Sequence, residues 1–175
     1  MKKLVIGSVL VVVSLIVGTI MGVAAIRADY AYNLAIGAYW NLADKSSTIA
    51  KKAEYVDRYV VALESQGLEG QHNALIYPTP DNSFDRNMEA LKSLQGRLHE
   101  IEKMDVTSFQ YQTAIQQITQ QEQGEAGAML GVFEGVWWKA HHVLLWDWIG
   151  GLIVTVLIIM VTVGGILIFV WFVDR

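Results

Sequence analysis

Two long stretches without a charged side chain stand near opposite ends of this 175-residue chain, and they constrain its fold more than any other feature. Leu4 to Ile26 gives 23 consecutive uncharged residues, interrupted only by Ser8, Ser14, Thr19 and three glycines. Trp148 to Val173 gives a second such run. A helix rises about 1.5 Å per residue, so either run covers a hydrocarbon core of ~30 Å. Isolated strands would leave backbone donors and acceptors unpaired in lipid, which leaves helices. The sequence therefore predicts transmembrane helices over 4–26 and 148–173, with the lipid bilayer as the first partner. Trp137, Trp138, Trp146 and Trp148 at one end of the second run, and Trp171 at the other, fall where amphipathic rings settle at headgroup level.

Val23-Ala24-Ala25 is a passable secretory cleavage site, but 23 uncharged residues exceed the core of a normal signal. Two spans with short ends put both termini on one side. Lys2-Lys3 favours the cytoplasm for them and an extracytoplasmic location for the residues between. Arg27 votes the other way, and Lys139 and Arg175 cancel across the second span.

Composition closes off other classes. With no cysteine there is neither a disulfide framework nor a thiolate metal site. An apolar content of 53% with only 2 prolines excludes disordered and collagen-like chains. Residues 27–147 carry ten Lys/Arg against sixteen Asp/Glu, a net charge of −6 that repels phosphate backbones. Without a basic stripe, nucleic acid is not expected as a partner.

Between the spans the apolar pattern is helical throughout. Ala35, Tyr39, Leu42, Ser46, Ile49, Ala53, Val56, Val60 and Leu63 alternate in steps of four and three, predicting one long helix over 28–65 with a core-facing seam. Gly67 and Gly70 end it, and 66–82, with Tyr77-Pro78-Thr79-Pro80, is predicted as a loop. A second helix is expected over 83–104 with Phe84, Met88, Leu91, Leu94, Leu98 and Ile101 on its apolar face. Thr107 and Gln110 have the spacing of a capping box, and no breaker follows. A long helix over 107–147 is therefore expected to run straight into the second span. The fold class is all-α: two transmembrane helices and an extramembrane antiparallel three- to four-helix bundle or coiled-coil hairpin.

Small residues form two stripes. Gly127, Gly131 and Gly135 share one face of the third helix, and Ala28, Ala31, Ala35 and Ala38, continuing Ala24, share one face of the first. Such stripes serve either close packing within one chain or an oligomer seam, which Gly18 and Gly22 would extend through the lipid. Glu122 and Glu125 fall on the seam marked by Tyr111, Ile115, Ile118, Met129, Val132 and Val136. Pairing with Lys51, Lys52 or Arg97, or simple exposure, suits them better than a metal, because the Glu-x-x-His repeats of di-iron bundles are missing. His141-His142 beside Lys139 fit an interfacial anchor, since adjacent side chains on a helix diverge by about 100° and cannot chelate one ion together. Seven glutamines between Gln110 and Gln123 make a polar, weakly charged surface. No phosphate loop, nucleophile elbow or zinc-protease motif occurs, so no catalytic, cofactor-binding or metal-ligating residue is assigned.

A span followed by Ala38-Tyr39-Trp40, Lys51-Lys52 and the amphipathic run Ala53 to Leu63 resembles the start of LemA-family proteins. The stretch from Phe109 through Ile115, Ile118, Glu122 and Phe133 is similar in layout to that family's last long helix. The resemblance covers residues 1 to about 138 and implies a membrane-anchored helical bundle with a scaffolding role and no catalytic residues. Trp137-Trp138 stands where the family shows Tyr-Asn, and the second span is an addition to the family layout.

These readings converge on an integral membrane protein whose bundle is a structural or protein-interaction module, self-associating or bound to another membrane protein. A sensor or ligand-binding bundle is the alternative. With about three residues before the first span and two after the second, it would need a partner to carry the output. A metal-dependent enzyme built on Glu122, Glu125 and a histidine is a third.

Overall fold

A computed structural model describes residues 1–74, 77–141 and 148–174; for 119–125, 148 and 149 it describes the backbone alone. All regular structure among the described residues is helical: α1 (Lys2–Tyr32), a π-helical turn (Asn33–Gly37), α2 (Ala38–Asp44), α3 (Ile49–Glu64), a 3₁₀ turn (Pro80–Asn82), α4 (Phe84–Glu102), α5 (Phe109–Ala140) and α6 (Trp148–Val173). The chain divides into two compact units, Met1–Asp29 with His142–Arg175, and Tyr30–His141.

The first unit contains the two apolar helices, each long and apolar enough to cross a membrane. A core helix of a water-soluble domain would bury such residues. Here Val9, Leu15, Ile16 and Ile20 of α1 and Leu152, Ile158, Ile166 and Phe169 of α6 remain more than half exposed. α1 and α6 run antiparallel, with the Lys3 ammonium 2.9 Å from the Asp174 carboxylate. They meet where both lack a side chain. A Cβ on Gly7 would stand 2.7 Å from the Gly164 carbonyl oxygen, and one on Gly164 would stand 2.8 Å from that of Gly7. Contact of this kind is the means by which helices associate in lipid.

In the second unit, α3 packs against α2 and α4, and α4 against α5. The apolar positions predicted on α4 are all buried: Phe84, Met88, Leu91, Leu94, Leu98 and Ile101. On α3 the predicted Ala53, Val56, Val60 and Leu63 are buried, joined by Tyr59. The α5 seam likewise holds at Ile118, Met129, Val132 and Val136, with Phe133 fully buried beside it.

Three expectations are corrected. The single helix over 28–65 is interrupted between Asp44 and Ile49. Ser46 bonds the Leu42 carbonyl, and Thr48 turns extended and accepts from the Lys51 amide as an N-cap. Three successive hydroxyl residues thus offer the backbone partners other than its own ladder. Before this break the seam is displaced: Tyr32, Ile36 and Ala43 are buried, whereas Ala35 and Leu42 are exposed. The π turn shifts the face. Gly37 makes room for it, since a Cβ there would stand 2.6 Å from Asn33 Oδ1.

The third helix is capped by Ser108, which accepts from the Tyr111 amide, and not by Thr107. Thr107 is engaged upstream, its amide and hydroxyl both donating to Asp105. Those two bonds hold the Asp105 carboxyl below its usual range. α5 also ends at Ala140, and the expected stretch 142–147 lies outside the described residues. His141 leaves helical geometry, stacks on Trp137 at 3.9 Å between ring centroids, and holds the Trp137 carbonyl with Nδ1.

The link between α3 and α4 follows its sequence signals. Gly67 and Gly70 take positive φ, +62° and +74°, as expected of residues that close a helix. Asp85 accepts from the Gly70 amide, the Asn73 amide donates to the Asn82 carbonyl, and the Phe84 amide donates to the Gln71 carbonyl.

Candidate functional site

The centre of the second unit is aromatic. Tyr59 is fully buried and touches Trp40 and Phe133, with ring centroids 5.6 and 6.1 Å apart. Phe133 meets Phe84 at 5.4 Å, and Tyr32 meets Trp137 at 5.7 Å. The two tyrosine hydroxyls lie 3.2 Å apart, one donating to the other. Burial pushes the Tyr59 hydroxyl well above its ordinary pKa, reinforced by Tyr32 and by the negative field of Glu134. A buried phenol paired with another phenol stays neutral and serves packing.

The glycine stripe divides. Gly135 is buried, and the Asn73 side chain lies against its Cα while donating to the Gly131 carbonyl at 3.1 Å. Its missing side chain therefore seats a loop residue and not the first helix. Gly127 and Gly131 face open space, and Ala31, Ala35 and Ala38 are exposed, with Ala28 half-buried. Within the second unit, Ala31, Ala35 and Ala38 therefore do not pack on Gly127 or Gly131. The contact between α1 and α6 that sequence reasoning missed is Gly7 with Gly164, and with three glycines in the first apolar run and four in the second, nothing in the sequence singled out that pair. Gly18 and Gly22 instead have nothing near their Cα positions and line an apolar groove of about 470 Å³ between α1 and α6.

Beyond the first apolar run, Tyr30, Leu34, Ala38 and Leu42 recur every fourth residue and all are exposed, Tyr30 at 68%, Leu34 at 69% and Leu42 at 44%. Residues four apart lie on one helical face. The result is an apolar row on the outside of the second unit.

Of the tryptophans expected as interfacial anchors, Trp137 is a core residue, its indole N–H donating to Gln66. It is buried because its ring fills the space beside Tyr32. Trp138 is half-buried, and Trp171 sits at the end of α6 against Phe172. Trp146 and the Trp148 side chain, His142, and the expected pairing of Glu122 and Glu125 lie outside the described residues.

One polar cluster had no sequence signal. Asp57 of α3 accepts from Gln95 Nε2 at 2.8 Å and lies 2.9 Å from His99 Nε2, while His99 Nδ1 lies 3.2 Å from Glu102. Hydrogen bonding to Asp57, then to Glu102, raises the His99 pKa above its ordinary 6.5. The cluster borders an open recess of about 420 Å³ that Ala50, Lys51 and Glu54 also line. Among the described residues no group of three or more His, Asp or Glu is arranged to hold a metal ion. No family model, curated protein or solved structure matches this chain.

Proposed function

We propose that this chain is an integral membrane protein, held by α1 and α6, whose second unit is an antiparallel helical bundle serving as a structural and protein-interaction module that self-associates. The exposed row Tyr30, Leu34, Ala38 and Leu42 carries this reading, because an ordered apolar row left uncovered on a helix marks a contact surface. Gly127 and Gly131, open on α5, extend the same reading to a second face. The LemA-like layout belongs to it as well. The two stretches that carry the resemblance meet in the core, Trp40 and Tyr59 from the first and Phe133 from the second. The termini are assigned to the cytoplasm and the bundle to the opposite side.

The test uses the natural absence of cysteine. Leu34→Cys, oxidised in mild detergent, is expected to yield a covalent dimer, and adding Ala38→Glu to abolish it. Gly131→Leu reports the second face. A wild-type chain that stays monomeric at micromolar concentration, with no Leu34→Cys dimer, overturns self-association. Labelling of Tyr77→Cys, at a 79% exposed position, reads which side the bundle occupies.

A sensor or ligand-binding reading is favoured by one feature, the recess lined by Lys51, Glu54, Asp57, His99 and Glu102 between α3 and α4. Polar groups converging on one space are what such a site requires.

A further inference from the structure

A neutral imidazole has one N–H donor and one lone pair, and only the imidazolium donates from both nitrogens. His99 has a carboxylate at each nitrogen: Asp57 of α3 at Nε2 and Glu102 of its own helix at Nδ1. In the neutral ring one of those carboxylates faces a lone pair, and that contact turns repulsive. The surroundings favour the cation. The groups lining the recess around His99 are Glu54, Asp57, Glu102 and Lys51, three carboxylates to one ammonium, and Glu54 is also tied to Arg58 at 2.7 Å.

The position matters as much as the charges. Asp57 follows Val56, and His99 follows Leu98, two side chains fully buried in the α3–α4 contact. Gln95 donates to the same Asp57 oxygen that His99 Nε2 approaches, so Asp57 draws two side chains of α4 toward α3.

We propose that His99 is a proton-operated latch between α3 and α4: its doubly protonated ring ties Asp57 to Glu102, and loss of one proton releases one of the two ties. The sign follows from linkage. A His whose folded pKa lies above its unfolded value contributes stability that is complete below about 6.5, and this is lost as pH rises through the folded value. The bundle therefore tightens on acidification through neutrality and loosens above it. The latch is independent of self-association and would operate in a monomer.

The experiment follows the His99 ring by NMR in the full chain in detergent, together with unfolding across pH 6 to 9, in wild type, His99→Gln and Asp57→Asn. The ring midpoint in wild type is expected above 6.5, and Asp57→Asn should move it down. Over the window above 6.5, the wild-type folded-to-unfolded ratio should fall relative to His99→Gln by a factor of roughly two to five, the range set by exposed ion pairs. A wild-type midpoint at or below 6.5, a midpoint unmoved by Asp57→Asn, or parallel wild-type and His99→Gln profiles overturns the latch. Should His99→Gln fail to fold, the ring titration in wild type and Asp57→Asn decides alone.

Discussion

Where α1 meets α6, two glycines bring the helix backbones together and the large apolar side chains point outward. Where α3, α4 and α5 meet, the space is filled instead by Tyr59, Phe84 and Phe133. The difference follows from the solvent each arrangement suits. Surrounded by hydrocarbon, a leucine gains little by leaving lipid for protein, so helices associate through close approach and dispersion. Surrounded by water, burying an aromatic ring is itself the driving force. Glycine and aromatic positions should therefore respond in opposite ways to being enlarged or cut down.

Phe133→Ala is the strongest test on the aromatic side. It removes a fully buried ring that touches both Tyr59 and Phe84, and should cost ~3–5 kcal/mol in reversible unfolding of the second unit. Crosslinking between Lys3→Cys and Asp174→Cys should be unaffected by it. Gly164→Leu is the counterpart in the first unit. The new side chain meets the Gly7 carbonyl and Val11, so overpacking of ~1–3 kcal/mol should suppress that crosslink while near-ultraviolet circular dichroism of the aromatic core stays unchanged. Loss of both signals in either variant would show that the two units are not separately held.

A finer contrast lies within α5. Gly135→Ala displaces Asn73 and its bond to the Gly131 carbonyl, and should destabilise by ~1–2 kcal/mol, whereas Gly131→Ala gains helix propensity worth up to ~1 kcal/mol. Equal effects in denaturant melts would mean that Gly135 does not seat the loop.

Much of the second unit was legible because its signals are periodic. The apolar face of α4 follows from residue spacing alone, and each predicted position is buried. The same holds for α3 after Thr48, and for the glycines that close it. Legibility failed where a local hydrogen bond competes with the periodic pattern. At Ser46-Ser47-Thr48 and at His141 side chains bond the backbone nearby, and the π turn stands where Gly37 leaves room for the Asn33 side chain. A heptad count passes over all three, because none changes the apolar spacing by more than a residue. The glycine stripe was misleading for a related reason. Spacing places Gly127, Gly131 and Gly135 on one face, but what that face meets depends on where a loop folds back, and Asn73 reaches only Gly135.

The sequence alone therefore determined the helical class, the two apolar helices long enough for a bilayer and the buried faces of α3 and α4, because hydrophobic periodicity and run length are properties of the chain itself. Tertiary structure alone decided which glycines touch, that Trp137 belongs to the core, and that Asp57, His99 and Glu102 converge. Asp57 and His99 stand 42 residues apart, a pairing that local spacing does not encode and that arises only once α3 and α4 pack side by side.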